Sequence, residues 1–328
     1  MFLNRDPNNK KGYVIPLRLD HTEPSEILGH FRYYDWIEKS QEEYTELLET
    51  LQELTIAKTS MIGHATIARV YDYFLDGSYN TDADRRVAAA LRREYPDIKK
   101  VMISNRAFLR RAVRYLAERG VRQFIDVGPG LPTQGNTHEI AKTIWRDARV
   151  VYVDCDRQVV EASRRLTKDE PNVRVVLGDL KRPHLILRAK GMDIIDFRNP
   201  VGLLLVAVIH FILDDSVARK CVQVLRDPLA MGSYVVISHA YKPKELGTVA
   251  RAAKKLYWQM IDKVHQRQSE EVLRLFEGTT LVEPGLVLAP VWHPEIEDPY
   301  LPGSRPPFSR EPYRSVLLVG VGVVVSKG

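Results

Sequence analysis

The residues whose types and spacing suggest chemistry first are Gly128-Pro129-Gly130 and Asp154. An apolar run, Phe124 to Val127, stops at the glycine turn, and a helix-like segment starts near Thr133, which stands in N-cap position. Two glycines let a backbone bend sharply and approach a ligand with no Cβ in the way. About 20 residues on, a second apolar run, Val150 to Val153, ends in Asp154. A carboxylate there can accept both hydroxyls of a ribose. Strand, glycine turn, helix and a following acid form a cradle for a nucleotide-like ligand. The plainer alternative is an ordinary β-α turn with a capping Asp after it.

A second set of residues could move protons. His210 is followed at i+4 by Asp214, a spacing that can orient an imidazole and raise its basicity. The alternative is that His210 packs and leads into the next helix. His239 offers a weaker version of the same pattern. Arg69, Tyr71, Asp72, Tyr73 and Asn80 crowd polar and aromatic groups into a short stretch. Tyr71, Asp72 and Tyr73 are therefore base or site-lining candidates, and tyrosines could also act as cation–π partners.

The elements that must position these groups follow from periodicity. From 122 onward apolar strands (122–127, 149–154, 173–178, 201–209, 232–239) alternate with helices (133–145, 156–167, 184–190, 214–227, 245–276). That alternation predicts an α/β fold with a parallel sheet covered on both faces. In such a sheet ligands sit outside the carboxyl ends of the strands, which puts Gly128, Gly130, Asp154, Asp179 and His210 on one edge. The segments 279–289 and 314–325 read as β-rich, and a Pro-rich stretch, 292–312, as a surface flap. Residues 61–120 read as a helical cap of three helices (65–75, 81–95, 101–119). The basic stretch 106–122 is expected to be amphipathic with a solvated basic face. Residues 1–60 form an extension. It carries an aromatic group, Phe31, Tyr33, Tyr34 and Trp36, and a leucine-striped helix over 40–55, which suggests a lid or a homodimer arm.

With 45% hydrophobic residues the chain of 328 can build a large core, and global disorder is excluded. Two cysteines, Cys155 and Cys221, read as reduced small apolar residues rather than a disulfide framework. The start of the chain lacks a signal design, and the longest apolar run is too short to span a bilayer. A cytoplasmic protein is expected, with no membrane partner. The net charge of +6 permits nucleic-acid binding, but no RNA-binding signature supports it. No metal-ligand spacing appears in the sequence.

Several stretches together resemble a bacterial S-adenosylmethionine-dependent methyltransferase family, of actinobacterial type, once catalogued as a domain of unknown function. They are Ala68 to Gly77, Asn105 to Val113, Phe124 to Thr133, Val151 to Asp156, Leu203 to Phe211 and Gly232 to His239. Leu281-Val-Glu-Pro-Gly285 is similar too. The resemblance implies a Rossmann-like class I methyltransferase sheet, mostly parallel with an antiparallel last strand, spanning 121–328. It implies S-adenosylmethionine as cofactor, S-adenosylhomocysteine as product, and no metal. Gly128 and Gly130 would approach the methionine part, with Asp126 supporting the loop. Asp154 would take the ribose, and Asp179 and Leu180 the adenine. Val206 to His210 would face the sulfonium, and Asn105 or Arg106 would hold the cofactor carboxylate.

The sequence departs from the family at Pro129, which removes a backbone donor. It departs again at Pro132, Asp76 and Ser78-Tyr79. The acceptor expected is a small molecule, an aromatic or alkaloid-like secondary metabolite of indole type, because aromatic side chains can wall a flat ring. Transfer or cyclisation of the aminocarboxypropyl arm is an alternative. A nicotinamide-dependent oxidoreductase is another, but it calls for a third glycine and a second catalytic domain. A non-enzymatic nucleic-acid binder would rest on the basic helix alone.

Overall fold

A computed structural model describes residues 65–132, 135–241, 264–301 and 305–325, with the strand pair Leu17–Arg18 and Tyr34–Asp35. The chain divides into two compact units, Met1–His64 and Ala65–Gly328. In the first, Leu17–Arg18 and Tyr34–Asp35 pair in parallel. Phe31, Tyr33, Trp36 and the helix expected over 40–55 lie outside the described residues, as do Thr133 and most of the segment expected to be helical from 245.

The second unit is built on a sheet. Its strands are β1 (Gln123–Val127), β2 (Arg149–Asp154), β3 (Val173–Leu177), β4 (Gly202–Val206), β5 (Tyr234–Ala240), β6 (Thr280–Leu281), β7 (Val287–Leu288) and β8 (Leu317–Val323). The order is β3-β2-β1-β4-β5-β8-β6, with β7 also pairing β8. The first five strands run parallel, and β8 lies antiparallel to β5. The chain order reverses between β1 and β4, and at that switch point the carboxyl ends open a crevice. β1 is wholly buried and reads as an unbroken apolar run apart from Gln123 and Asp126, as a strand covered on both faces should.

Three helices precede the sheet: α1 (Ile67–Phe74), α2 (Asp82–Glu94) and α3 (Ile98–Glu118). α1 is capped by Thr66. α2 is capped by Thr81 in a reciprocal box with Asp84. α3 lies on one face of the sheet, where Phe108, Val113 and Leu116 join Phe124, Tyr152 and Trp292 in a buried cluster. Between the strands come α4 (Thr137–Lys142), α5 (Arg157–Leu166), α6 (Pro183–Arg188) and α7 (Asp215–Arg226). α6 and α7 cover the other face, over Ile125, Leu203 and Val235. A short α8 (Ser269–Leu273) follows β5.

Three expectations are corrected. α3 does not carry a solvated basic face over its whole length, because Arg106, Arg110 and Arg111 are buried. A segment from the far end of the chain wraps the helix and supplies partners to Arg110 and Arg111. The Asp298 carboxylate accepts two hydrogen bonds from Arg110, at 2.7 and 2.6 Å, and the carbonyls of Trp292 and Ala289 accept from Arg111. The helix after the glycine turn begins later than expected, with Asn136 as cap in a box with Glu139. Cys155 is exposed, whereas Cys221 is buried.

Candidate active site

The glycine turn leaves β1 with Gly128 at φ +71° and Gly130 at φ +65°. A Cβ on Gly128 would stand 2.5 Å from Cγ2 of Val208, so this glycine lets the loop after β4 approach the turn. A Cβ on Gly130 would meet nothing within 4 Å. There the positive φ, not crowding, demands glycine, and the turn keeps an open side. Asp154, at the end of β2, accepts from the Gly130 amide at 3.3 Å and the Asp156 amide at 3.0 Å. Burial of the carboxyl, reinforced by the Asp156 charge and opposed by these amides, pushes its pKa up to about 6. Asp126 lies beneath the turn and accepts from the Thr137 hydroxyl at 2.7 Å, tying β1 to the start of α4. Its pKa is likewise raised by burial to about 6. Asp179 follows β3 and accepts from the Lys181 amide, and Leu180 is buried beside it. Gly128, Gly130, Asp126, Asp154, Asp179 and Leu180 thus gather at one edge of the sheet, with buried Val206 ending β4.

Arg106 differs from its neighbours on α3. It is 5% exposed, yet its Nε finds no hydrogen-bond partner among the described residues. Its guanidinium lies 5.9 Å from the centre of the Tyr71 ring, and its charge acts on Asp126. A buried guanidinium with an idle donor fits a carboxylate arriving from outside.

Asn105, beside it, is already engaged. The hydroxyl of Ser238 on β5 donates to its Oδ1 at 2.6 Å, and its Nδ2 donates to the Tyr71 oxygen at 3.0 Å. The Tyr71 phenol donates to the Met102 carbonyl at 3.1 Å. Ser238 Oγ also accepts from the Ala207 amide at 2.9 Å. Ala207 sits at φ +56°, a strained conformation for a residue with a Cβ, just past the end of β4. A relay of side chains therefore runs from α1 through α3 and β5 to the turn after β4. Burial raises the Tyr71 pKa, so this tyrosine stays a phenol.

Asp72 and Tyr73 point to other tasks. Asp72 accepts from the Tyr79 amide and the Asn80 carboxamide, and a Cβ on Gly77 would collide with it. It anchors the turn after α1. Tyr73 packs edge-on to Phe74 in the α1–α2 cluster. Asp214 does not orient His210, because it caps α7 by accepting from the Val217 amide and the Ser216 hydroxyl. The His210 ring instead lies 4.4 Å from Phe211 and 5.8 Å from His239, centre to centre. Its Nδ1 is buried without a partner. Burial, with Arg267 adding, pulls the His210 pKa down to about 3, which leaves the imidazole neutral.

A cavity of about 160 Å³ opens at this corner. Tyr71, Met102, Ala207, His210, Phe211 and Leu317 are among its lining residues, and its wall is mainly apolar. Sequence reasoning missed Ser238 and Arg267, whereas Ala207 lies within the stretch Val206 to His210 expected to face the sulfonium. Ser238 and His239 were readable as two polar residues closing an otherwise apolar strand. Nothing local announced Arg267.

This arrangement agrees with what the chain is similar to. Residues 55–324 match the family described as S-adenosyl methyltransferase. The chain belongs to that family. A provisionally assigned methyltransferase from Thermobifida fusca YX is 35% identical over 81% of this chain and 97% of its own, with a TM-score of 0.72. A DUF574 family protein from Streptomyces avermitilis MA-4680 is 34% identical over 79% of this chain and 97% of its own, at 0.70. No curated protein matches. The protein is an S-adenosylmethionine-dependent methyltransferase, and its sheet is of the class I type. Among the described residues no group of His, Cys, Asp and Glu is arranged to hold a metal ion, and no helix is long and apolar enough to cross a membrane.

Proposed function

We propose that the enzyme methylates a small, flat, apolar acceptor seated in the cavity between α1, α3 and the end of β4. The observation that carries this reading is the position of the cavity. Its wall includes Ala207 and His210, which directly follow β4 at the same sheet edge as the glycine turn and Asp154. The cofactor residues proposed are Gly128 and Gly130 for the methionine part and Arg106 for its carboxylate. Asp154 takes the ribose, and Asp179 with Leu180 the adenine. Asp126 supports the turn through Thr137. Bound there, S-adenosylmethionine supplies a methyl group already activated on sulfur.

The chain's own part is then alignment and proton handling. Apolar side chains exclude water from the acceptor. The neutral His210 imidazole accepts a hydrogen bond from the acceptor's O–H or N–H and orients it. The proton is released to water, because burial and Arg267 keep the ring too weakly basic to hold it. Tyr71 and Asn105 act as wall and brace, since their hydrogen bonds are already made. An indole- or alkaloid-like secondary metabolite has the flat apolar body that suits such a wall.

The test is transfer of labelled methyl from S-adenosylmethionine to a panel of indoles, phenols, peptides and RNA. Turnover confined to the flat small molecules is expected. Turnover only on peptide or RNA would sink the reading.

A further inference from the structure

The polar groups around the cavity restrict what can enter it. Tyr71, Tyr95, Asn105, His210 and Gln266 are the polar residues among its described lining. Tyr71 and Asn105 spend their groups within the relay, and the Tyr95 phenol donates to the Arg314 carbonyl. Gln266 donates to the Tyr241 carbonyl and keeps its oxygen, an acceptor. His210 is 8% exposed; its Nδ1 is buried without a partner, and no described residue hydrogen-bonds its Nε2, the ring nitrogen left to meet a ligand. A neutral imidazole carries one lone pair that can accept a proton-bearing group. The wall therefore offers acceptors to an incoming molecule.

It offers no counter-charge to a cation, because no carboxylate is among the described lining residues. A cation lies just behind the wall instead. Arg267, 1% exposed, donates to Nε2 of His239 at 2.8 Å, and the His239 and His210 rings lie 5.8 Å apart. His239 Nδ1 stands 2.8 Å from the Ala240 carbonyl, so it donates there and Nε2 accepts from Arg267. His239 is thereby fixed neutral and cannot screen the guanidinium as an anion would. Asp215 pairs with Arg267 from the solvent side, 47% exposed. An ammonium group entering this cavity would lose its water, find no carboxylate among the described lining residues and meet the Arg267 field.

We infer that the acceptor binds uncharged, giving an O–H or N–H of an aromatic ring to His210, and that protonated amines are rejected. This rests on the methyltransferase reading of the site and narrows its acceptor class. An apolar cavity of about 150 Å³ takes a benzene ring, so single-ring probes suit the size.

The experiment titrates the full-length protein with phenol, toluene and benzylamine at neutral pH, with and without S-adenosylhomocysteine, by ligand-observed NMR. Phenol is expected to bind at least about tenfold more tightly than benzylamine, which is protonated. His210→Phe keeps a ring but removes the nitrogen, and should weaken phenol about three- to tenfold while toluene stays within about twofold. Benzylamine binding as well as phenol would overturn the inference, and so would no binding of phenol at millimolar concentration. An equal change for phenol and toluene in His210→Phe would remove His210 from it. The selectivity of the wild-type protein decides the first point even if the variant folds poorly. Failure of S-adenosylhomocysteine to bind would count against the cofactor reading, while the phenol and benzylamine titrations still decide this one.

Discussion

The proposed cofactor edge and the proposed acceptor cavity sit side by side at the end of β4, yet they are built in different ways. The cofactor edge is made of short contiguous signals. Gly128 and Gly130 follow one strand, Asp154 ends the next, and Asp179 follows the third. Main-chain amides tie them together, as where Gly130 donates to Asp154. The cavity is made of side chains brought from α1, α2, α3, the turn after β4 and the two neighbouring strands β5 and β8. Its shape depends on a relay linking Tyr71, Asn105, Ser238 and Ala207, which are far apart in sequence. The difference teaches that cofactor recognition can be written locally, whereas acceptor recognition is a property of the assembled fold.

The largest expected effect probes an exception on the cofactor side. Arg110 and Asp298 form a buried bidentate pair, and Tyr300, two residues on, donates to Glu139 in the first turn of α4 at 3.1 Å. Asp298→Ala leaves a buried guanidinium unpaired and should cost about 3–5 kcal/mol of stability. Urea unfolding measures it. A change below about 1 kcal/mol would mean that the distal segment does not hold α3 in place.

This exception also marks where the sequence stops being legible. The parallel sheet, the glycine turn and Asp154 could be read directly, because an apolar run ending in glycine or an acid has few other meanings. The burial of Arg106, Arg110 and Arg111 could not. Their spacing matches a solvated stripe, and only the return of residues 289–298 across α3 supplies carbonyls and a carboxylate. Asp72 could not be placed either, since an acid beside two tyrosines looks alike whether it faces a ligand or its own turn. His210 was visible as a candidate, but its neutral state comes from burial in the assembled fold, with Arg267, more than fifty residues later, adding to it.

A smaller effect separates the two regions. Ser238→Ala should orphan the Asn105 oxygen and leave the Ala207 amide only its longer bond to the Ser238 main-chain carbonyl, at a cost of about 1–3 kcal/mol in unfolding free energy. Because the relay serves the cavity, phenol binding should weaken while S-adenosylhomocysteine affinity stays within about threefold. Equal loss of both would merge the two regions into one unit.

The smallest effect is a pH dependence. In the proposed site the ribose hydroxyls would donate to ionised Asp154, whose carboxyl is pushed up to about 6 by burial. Affinity for S-adenosylhomocysteine should therefore fall on going from pH 7.5 to pH 5, and Asp154→Asn should flatten that fall. The ligand-free fold has the opposite sign. Asp126 and Asp154 keep protons above the ordinary carboxylate value of about 3.9. Their contribution to stability is thus present at low pH and is lost as pH rises through about 6. His210, near 3, adds no titration between pH 5 and 8. A rate that falls with a midpoint near 6.5 and loses that midpoint in His210→Phe would contradict its neutral state.

The central claim is that the edge formed by the glycine turn and Asp154 holds S-adenosylmethionine. Isothermal titration of S-adenosylhomocysteine into the wild-type protein and into Asp154→Ala tests it most directly. Binding by the wild type is predicted, weakened in the variant by about 1.5–3 kcal/mol, the worth of hydrogen bonds to a charged group. Equal affinity in the two proteins, or binding of NADH in place of S-adenosylhomocysteine, would contradict it.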